Sequence, residues 1–133
     1  MYRWVDHTAE LELRVEAPRA EDVFHEACEA LGELLREHSN GAPGEPARHA
    51  ITASAPDWPT LLAEWLSELT FLAETQGFVP ERVDTLTLSA EDLDATVSGQ
   101  RAEPPHLVKA VTYHRLEMRQ RDGGWHATVV LDV

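Results

Sequence analysis

The sequence predicts an α+β fold, a single domain in which a mixed β-sheet of about six strands is covered on one face by two α-helices. Residues 11–17 (LELRVEA) alternate between apolar and polar side chains, which is typical of a strand with one buried face. Two later segments repeat their apolar residues at helical spacing instead. From residue 79 onward, β-type runs separated by turn residues predict further strands.

The first helix is predicted over residues 21–38, EDVFHEACEALGELLREH, which follow Pro18. Glu21 and Asp22 fall in its first turn, where acids interact favourably with the helix dipole, although no usual capping residue precedes them. The apolar face of this helix comprises Val23, Phe24, Ala27, Cys28, Leu31, Leu34 and Leu35. Because Cys28 is the only cysteine, it cannot form an internal disulfide, and we expect it to pack inertly in the core.

A predicted loop, SNGAPGEPA (Ser39 to Ala47), and a short strand, RHAITAS, precede the second helix. Asp57 is predicted to cap this helix, Pro59 suits its first turn, and Gly77 is predicted to end it. The stripe of this helix that should pack in the core consists of Trp58, Leu62, Trp65, Leu66, Leu69 and Leu72.

Four strands are predicted in the rest of the chain. RVDTLTLSA and LDATVSGQ are expected to form a hairpin through EDLD. The following segment, GQRAEPPH, is a predicted loop because Pro104 and Pro105 cannot pair within a central strand. LVKAVTYHRLEMRQR and WHATVVLDV flank Asp122-Gly123-Gly124, a strong signal for a short turn.

The chain is strongly acidic. Its 133 residues suit one domain and include 24 acids against 11 lysines and arginines, a formal charge of −13. Phosphate backbones are held by clustered basic residues, so we expect no direct, tight binding of nucleic acid. An acidic surface suits a basic protein partner, a cation or simple solubility. No leader-like segment and no apolar run of membrane-spanning length occurs, which predicts a cytoplasmic protein without a membrane role.

Polar groups from both chain ends form the main candidate site: Asp6, His7, Thr8, Glu10, Asp132 and the terminal carboxylate of Val133. The last strand is too apolar to be a loose tail, so Asp132 should be held firmly and should need a partner. Converging carboxylate oxygens favour a hard cation such as Ca²⁺ or Mg²⁺. The alternative is that DHTAE is an ordinary turn in which Asp6 or Thr8 bonds to the local backbone.

Other candidates are weaker. His7 and His114 could pair across strands, act as acid and base groups, or be structural. Lys109 is either a surface residue or the counter-charge of one of the acids. No glycine-rich phosphate loop, nucleophile elbow, CxxC or HExxH motif occurs, which disfavours a self-sufficient enzyme of a familiar motif class.

The chain resembles the archease family in four segments, taken in order: DHTAE near the start, EDVFHEACEALGELL, VKAVTYHRLEM and the closing DGGWHATVVLDV. Family members carry a D-H-T-A-D-like opening, a K-A-[VI]-T-Y-like strand and a terminal acid followed by an aliphatic residue. The resemblance covers residues 1–133 as one archease-like domain. Glu10 stands where the family has Asp, one methylene shorter, which leaves the affinity for a metal and its identity in question.

This resemblance implies a protein cofactor and not a freestanding enzyme. Archeases assist the GTP-dependent RNA ligase RtcB in tRNA splicing and RNA repair, by promoting guanylylation of the ligase and its multiple turnover. They carry a divalent metal site, often filled by Ca²⁺, with Mg²⁺ or Mn²⁺ as other options. Carried onto this chain, the implied ligands are Asp6, Glu10, Asp132 and the Val133 carboxylate. Further residues that could support the site or contact the partner are His7, Lys109 and His114.

Two other functions stay open at this point. A metal-dependent hydrolase would use Asp6, Glu10 and Asp132 as ligands, with His7 as its acid or base. A chaperone or adaptor would carry terminal acids that are structural only.

Overall fold

The computed structural model describes residues 1–38, 44–102 and 107–133 of the chain. In these ranges the secondary structure consists, in order, of β1 (Tyr2–His7), β2 (Glu10–Ala17), α1 (Ala20–Glu37), β3 (Glu45–Ser54), α2 (Trp58–Gln76), β4 (Phe78–Leu88), β5 (Asp92–Arg101), β6 (Ala110–Arg121) and β7 (Gly124–Asp132). The predicted α+β class and both predicted helices are confirmed.

The strands form two antiparallel sheets. The larger sheet has the order β1-β2-β7-β6, and the smaller has the order β3-β5-β4. This arrangement differs from the single mixed sheet of about six strands that the sequence predicts. The last strand, β7, lies between β2 and β6 inside the larger sheet, so the expectation that it is not a loose tail is confirmed.

Strand β1 is the one strand that the sequence analysis does not predict. It pairs with β2 through the turn Thr8–Ala9. This turn contains no Gly, Asn or Asp, which are the usual residues of a two-residue hairpin turn. Ala9 nevertheless has φ 59°, in the left-handed region that alanine rarely adopts. The turn residues therefore do not predict this hairpin from the sequence.

Both helices pack against both sheets. Helix α1 contacts β4 of the smaller sheet and β2 of the larger, while α2 contacts β6 of the larger sheet and β3 and β4 of the smaller. The buried Trp65 indole N–H donates a 3.0 Å hydrogen bond to the carbonyl oxygen of Phe24, which joins the two helices. One apolar core therefore extends through the helices and both sheets, so the helices do not simply cover one face of a single sheet.

The helix ends agree with the sequence. At the start of α1, Arg19 makes no side-chain capping bond, whereas at α2 the Asp57 carboxylate accepts a 2.9 Å hydrogen bond from the Thr60 N–H. Gly77 ends α2 with φ 64°, a conformation that glycine adopts without steric penalty. Cys28 is fully buried, and burial followed by the charge of Glu29 raises the pKa of its thiol to about 12, as an inert core residue requires.

Parts of both predicted loops lie outside the described residues, and the described parts belong largely to strands. Strand β3 already begins at Glu45 inside the first loop, and residues 39–43 are not described. Strand β5 continues to Arg101, and residues 103–106, with Pro104 and Pro105, are likewise not described. Within the described ranges, neither helix has the length and apolarity that crossing a membrane requires.

Helix α1 approaches β4 most closely at Gly32, where a Cβ would lie 2.0 Å from the carbonyl oxygen of Pro80. We therefore expect Gly32→Ala to lower the free energy of unfolding by about 1–3 kcal/mol in urea titrations, because the helix must move away from the strand. That loss should outweigh the roughly 1 kcal/mol by which alanine favours helices over glycine. Glu29→Ala on the exposed side of the same helix should stay within about 0.5 kcal/mol of the parent. A more stable Gly32→Ala protein would contradict the close approach.

Candidate functional site

The candidate site is created by the pairing of β2 with β7. In this antiparallel pair Glu10 lies directly opposite Asp132, and Leu11 lies opposite Leu131. Side chains that are directly opposite share a face of the sheet, and their Cβ atoms are about 5 Å apart. The two acids from opposite ends of the chain therefore meet on one face, as the predicted site requires.

That face points away from the helices. Leu13, Val15 and Leu131 are buried in the core on the helix side, so the alternating residues of β2, including Glu10, point to the other side, the outer face of the larger sheet. His7 is the partner of Glu10 in β1, and therefore lies in the same row on the outer face.

Backbone hydrogen bonds fix the chain terminus beside this row. The Val133 N–H donates to the carbonyl oxygen of Ala9 at 3.1 Å, and the Lys109 N–H donates to that of Asp132 at 2.8 Å. The terminal carboxylate thus follows Asp132 closely. Lys109 itself is exposed, and within the described ranges its side chain forms no ion pair with an acid.

Asp6 is placed differently from the other acids. It is the partner of Leu11, so its side chain belongs to the helix side of β1, where it is exposed. The predicted ligand set is therefore divided, with Glu10 and Asp132 in one row and Asp6 on the other face of the hairpin. In residues 1–38, 44–102 and 107–133, no three His, Cys, Asp or Glu side chains lie close enough together to hold a metal ion.

Among the described residues, Glu10 and Asp132 also have no counter-charge. Within the part of the chain that the structure describes, no basic side chain forms an ion pair with either of them or with Asp6. Neither Asp6 nor Thr8 bonds to the backbone of the turn there, so the ordinary-turn alternative has no hydrogen bond in its favour. Like charges directly opposite each other destabilise a sheet. The pair is therefore suited to an external cation.

The two candidate histidines do not pair with each other. His7 lies on β1 and His114 on β6, which are the two edges of the larger sheet. His7 instead contacts the carboxylate of Glu12, with its Nε2 atom 3.3 Å from Oε1, and His114 is exposed.

Glu12 is a functional candidate that the sequence analysis does not identify. It lies on the outer face, where the alternation of β2 predicts that side chains are exposed to solvent. Only 3% of its surface is exposed, however. Its carboxylate accepts a hydrogen bond from Arg14 Nε and lies 3.1 Å from a terminal nitrogen of Arg115. The one sequence signal is the pair Glu12 and Arg14, two residues apart on one strand face.

These partners keep Glu12 ionised. Burial alone would raise the pKa of Glu12, but the hydrogen bond and charge of Arg14, then the charge of Arg115 and the hydrogen bond from His7, hold that pKa below its ordinary value. A buried carboxylate with three basic neighbours is a fixed negative charge under the outer face.

Comparison with known proteins agrees with this fold and sequence. Residues 2–133 match the model of the Archease protein family (MTH1598/TM1083). The chain belongs to the archease family. It is 31% identical to a protein archease of Methanosarcina mazei, covering 99% of this chain and 95% of the relative, and 31% identical to one of Methanopyrus kandleri, covering 97% and 96%.

Solved structures of the family share the fold. The solution structure of Methanobacterium thermoautotrophicum protein 1598 matches with a TM-score of 0.67 at 28% identity, covering 99% of this chain and 98% of that one. The crystal structure of a Thermotoga maritima archease, described as a possible chaperone, matches with a TM-score of 0.65 at 19% identity, covering 100% and 98%. At 19% identity, the similarity to the Thermotoga maritima structure concerns the fold alone.

The burial of Glu12 predicts how the stability of the protein depends on pH. Because its folded-state pKa is lowered, Glu12 stabilises the protein above its ordinary pKa, and this contribution is lost as the pH falls through the lower folded-state pKa. Glu12→Gln should lower the free energy of unfolding near neutral pH by about 1–3 kcal/mol, because it removes the charge that Arg14 and Arg115 contact. The difference from the parent should shrink in acid. Urea unfolding between about pH 3 and pH 7 measures it.

Glu16→Gln is the matched control, since Glu16 lies on the same strand face with its side chain 68% exposed. It should change the free energy of unfolding by no more than about 0.5 kcal/mol at any of these pH values. A Glu12→Gln protein whose stability followed that of the parent at every pH would show that Glu12 bears no such charge interaction.

Proposed function

We propose that this chain activates a GTP-dependent RNA ligase of the RtcB type, promoting its guanylylation and multiple turnover in tRNA splicing and RNA repair. Membership of the archease family supports this function, and so does the acidic pair Glu10 and Asp132, which lies at the paired chain ends without a counter-charge among the described residues. The pair is the observation that carries the proposal. The chain itself would be a cofactor protein and not an enzyme, acting in the cytoplasm.

A divalent cation is the proposed ligand of the acidic pair. The donor set fits in part, since Glu10 and Asp132 are directly opposite each other and the Val133 carboxylate follows Asp132 in the chain, while Asp6 lies on the other face of β1. Ca²⁺ takes six to eight oxygen ligands, so water, backbone oxygens or the ligase must complete its shell. When bound, such a cation would stabilise negative charge that develops during nucleotidyl transfer.

A cleft at the β6 edge of the larger sheet, on the side of α2, is a suitable docking surface for the ligase. It has a volume of about 700 Å³, is lined by α2 and the start of β6, and extends to Ala110, the partner of Asp132 in β6. Phe71 at its edge is exposed, as is Tyr113 further along β6. Exposed aromatic side chains are enriched in protein interfaces, whereas most surfaces of an acidic protein are charged.

Electrostatics favour a ligase as the partner. An enzyme that holds RNA ends presents basic side chains to the phosphate backbone. A protein of formal charge −13 is attracted to such a surface over distances comparable to the Debye length. The ligase, and not free RNA, is therefore the proposed binding partner.

Neutral, size-matched variants test the proposed activation. Glu10→Gln and Asp132→Asn should each reduce stimulation of ligase guanylylation by at least about tenfold, because each removes one of the paired carboxylates. Asp94→Asn, which removes an exposed carboxylate from the smaller sheet, should stimulate as well as the parent. The measurement is transfer of labelled GMP to the ligase, followed by ligation with RNA in excess.

Three other results would contradict the proposed activation or support one of the alternative functions. Equal stimulation by all three variants would remove the acidic pair from the mechanism. Hydrolysis of phosphoesters by the isolated protein, lost in Glu10→Gln, would support the hydrolase alternative. Protection of unfolded proteins without any effect on guanylylation would support a chaperone.

Metal binding by the acidic pair can be measured without the ligase. Ca²⁺ at 100 times its dissociation constant should stabilise the parent by about 2.7 kcal/mol, so its melting temperature should rise on adding Ca²⁺ and fall on adding EDTA. Glu10→Gln should lose most of this response, whereas Asp94→Asn should keep it. An identical response in Glu10→Gln and the parent would place the cation elsewhere.

A further inference from the structure

A groove on the outer face of the larger sheet gathers half of the arginines of the chain. It has a volume of about 710 Å³ and includes side chains from all four strands of that sheet. The arginines that line it are Arg3, Arg14, Arg115, Arg119 and Arg121. The chain contains ten arginines and one lysine in total. The groove extends to His7, the β1 partner of Glu10, so it borders the acidic pair on the same face without including either acid.

The groove has the opposite charge to the rest of the protein. Its five arginines are accompanied by three glutamates, Glu12, Glu16 and Glu117, whereas the remainder of the chain carries 21 acids and only six basic residues. The segregation indicates a binding site for an anion.

Two of these arginines lie opposite each other on neighbouring strands. Arg3 is the direct partner of Arg14 across β1 and β2, so both guanidinium groups lie on the outer face in one row. The Arg14 side chain contacts Glu12, but the Arg3 side chain forms no hydrogen bond or ion pair with any residue that the structure describes. Like charges opposite each other destabilise a sheet, and an anion bound in the groove would relieve this repulsion.

Glu12 holds two of the groove's guanidinium groups in place. It lies buried under the groove and contacts both Arg14 and Arg115, whose side chains remain 43% and 47% exposed. A guanidinium group has five N–H donors, so one contact with Glu12 leaves donors directed to the groove. A buried carboxylate that orients exposed arginines pre-organises them for an anion, which reduces the entropy lost on binding.

The backbone of β6 is distorted where it supplies Arg115. Between the pairs Thr112–Val130 and Glu117–Thr128, four residues of β6 lie opposite the single residue Val129 of β7. Arg115 lies in this bulge with φ 56°, a left-handed conformation that is strained for a residue with a side chain. The bulge allows Arg115 to reach Glu12. Such strained bulges are frequent beside functional sites.

We propose that this groove binds a compact phosphorylated anion of the polyphosphate class, such as the triphosphate of a nucleotide. Guanidinium groups bind phosphate oxygens through paired hydrogen bonds, and several of them together suit a ligand with several negative charges. The volume falls within the range of about 300–1,000 Å³ that small-molecule sites occupy. A long nucleic acid would extend over the acidic surface around the groove and be repelled, whereas a compact anion places all of its charge among the arginines.

The test uses the whole protein with inorganic triphosphate, GTP, short single-stranded RNA and an acidic peptide as probes. Calorimetric titrations at low ionic strength with EDTA present separate this site from the proposed metal site, so the two proposals can fail independently. Triphosphate and GTP should bind to the parent. Arg3→Gln should weaken both by about tenfold or more, because it removes one charge-assisted contact and the arginine has no other partner among the described residues.

Two further variants complete the test. Arg101→Gln removes an exposed arginine of the smaller sheet and should bind both probes as the parent does. Arg3→Glu should abolish binding while the circular dichroism spectrum without ligand stays that of the parent and the melting temperature is no lower, because an acid opposite Arg14 removes the repulsion. Equal binding by Arg3→Gln and the parent, or no binding by the parent, would overturn the proposal. So would tighter binding of the RNA or of the acidic peptide than of triphosphate.

Discussion

The antiparallel pairing of β2 with β7 is the constraint on which the rest of the outer face depends. It places the end of the chain in the interior of the larger sheet and sets Glu10 opposite Asp132. Side chains alternate between the faces of a strand, so a shift of one residue would turn Glu10 and Glu12 to the core and Leu11 and Leu13 to solvent. The burial of Leu13 therefore fixes the position of the acids. Core packing and site geometry are set by the same register.

Rows of like charge follow from this register. At one end of the outer face Glu10 opposes Asp132, and toward the other end Arg3 opposes Arg14. Each row carries a repulsion that neighbouring strands usually avoid. Glu12 lies between the two rows and neutralises part of the basic one only. The two proposals assign a cation to the acidic row and an anion to the basic row, and each ligand would relieve the repulsion within its row.

The sequence predicts the features that depend on local periodicity. The alternation in β2, the apolar stripes of α1 and α2, the Asp57 cap and the Asp122-Gly123 turn all follow from short-range preferences, and the structure contains each of them. Strand β1 is different because its turn contains Ala9 in a left-handed conformation and none of the usual turn residues. The division into two sheets depends on pairings between distant segments, which periodicity does not specify.

The same distinction applies to the sites. Motifs at the chain ends identify Glu10 and Asp132, and the strand pairing brings them together. The burial of Glu12 cannot be predicted from its strand, because it depends on Arg115, which reaches it from a bulge about a hundred residues further along the chain. A charged residue on the solvent face of a strand normally stays solvated. The burial of Glu12 and its contacts with the arginines of the groove therefore depend on tertiary contacts.

The distance between the two rows limits how strongly their ligands can influence each other. His7 and Arg3 are four residues apart on β1, so the rows are separated by about 13 Å at 3.3 Å per residue. Two unit charges at that distance interact by about 0.3 kcal/mol in water and about 1.3 kcal/mol at an effective dielectric constant of 20. Salt reduces this further, because the Debye length under physiological conditions is about 8 Å. Ca²⁺ and a triphosphate carry several charges each, so their mutual attraction is several times larger than that of two unit charges and depends strongly on salt. His7, which lies in the acidic row and contacts Glu12, connects the two rows directly.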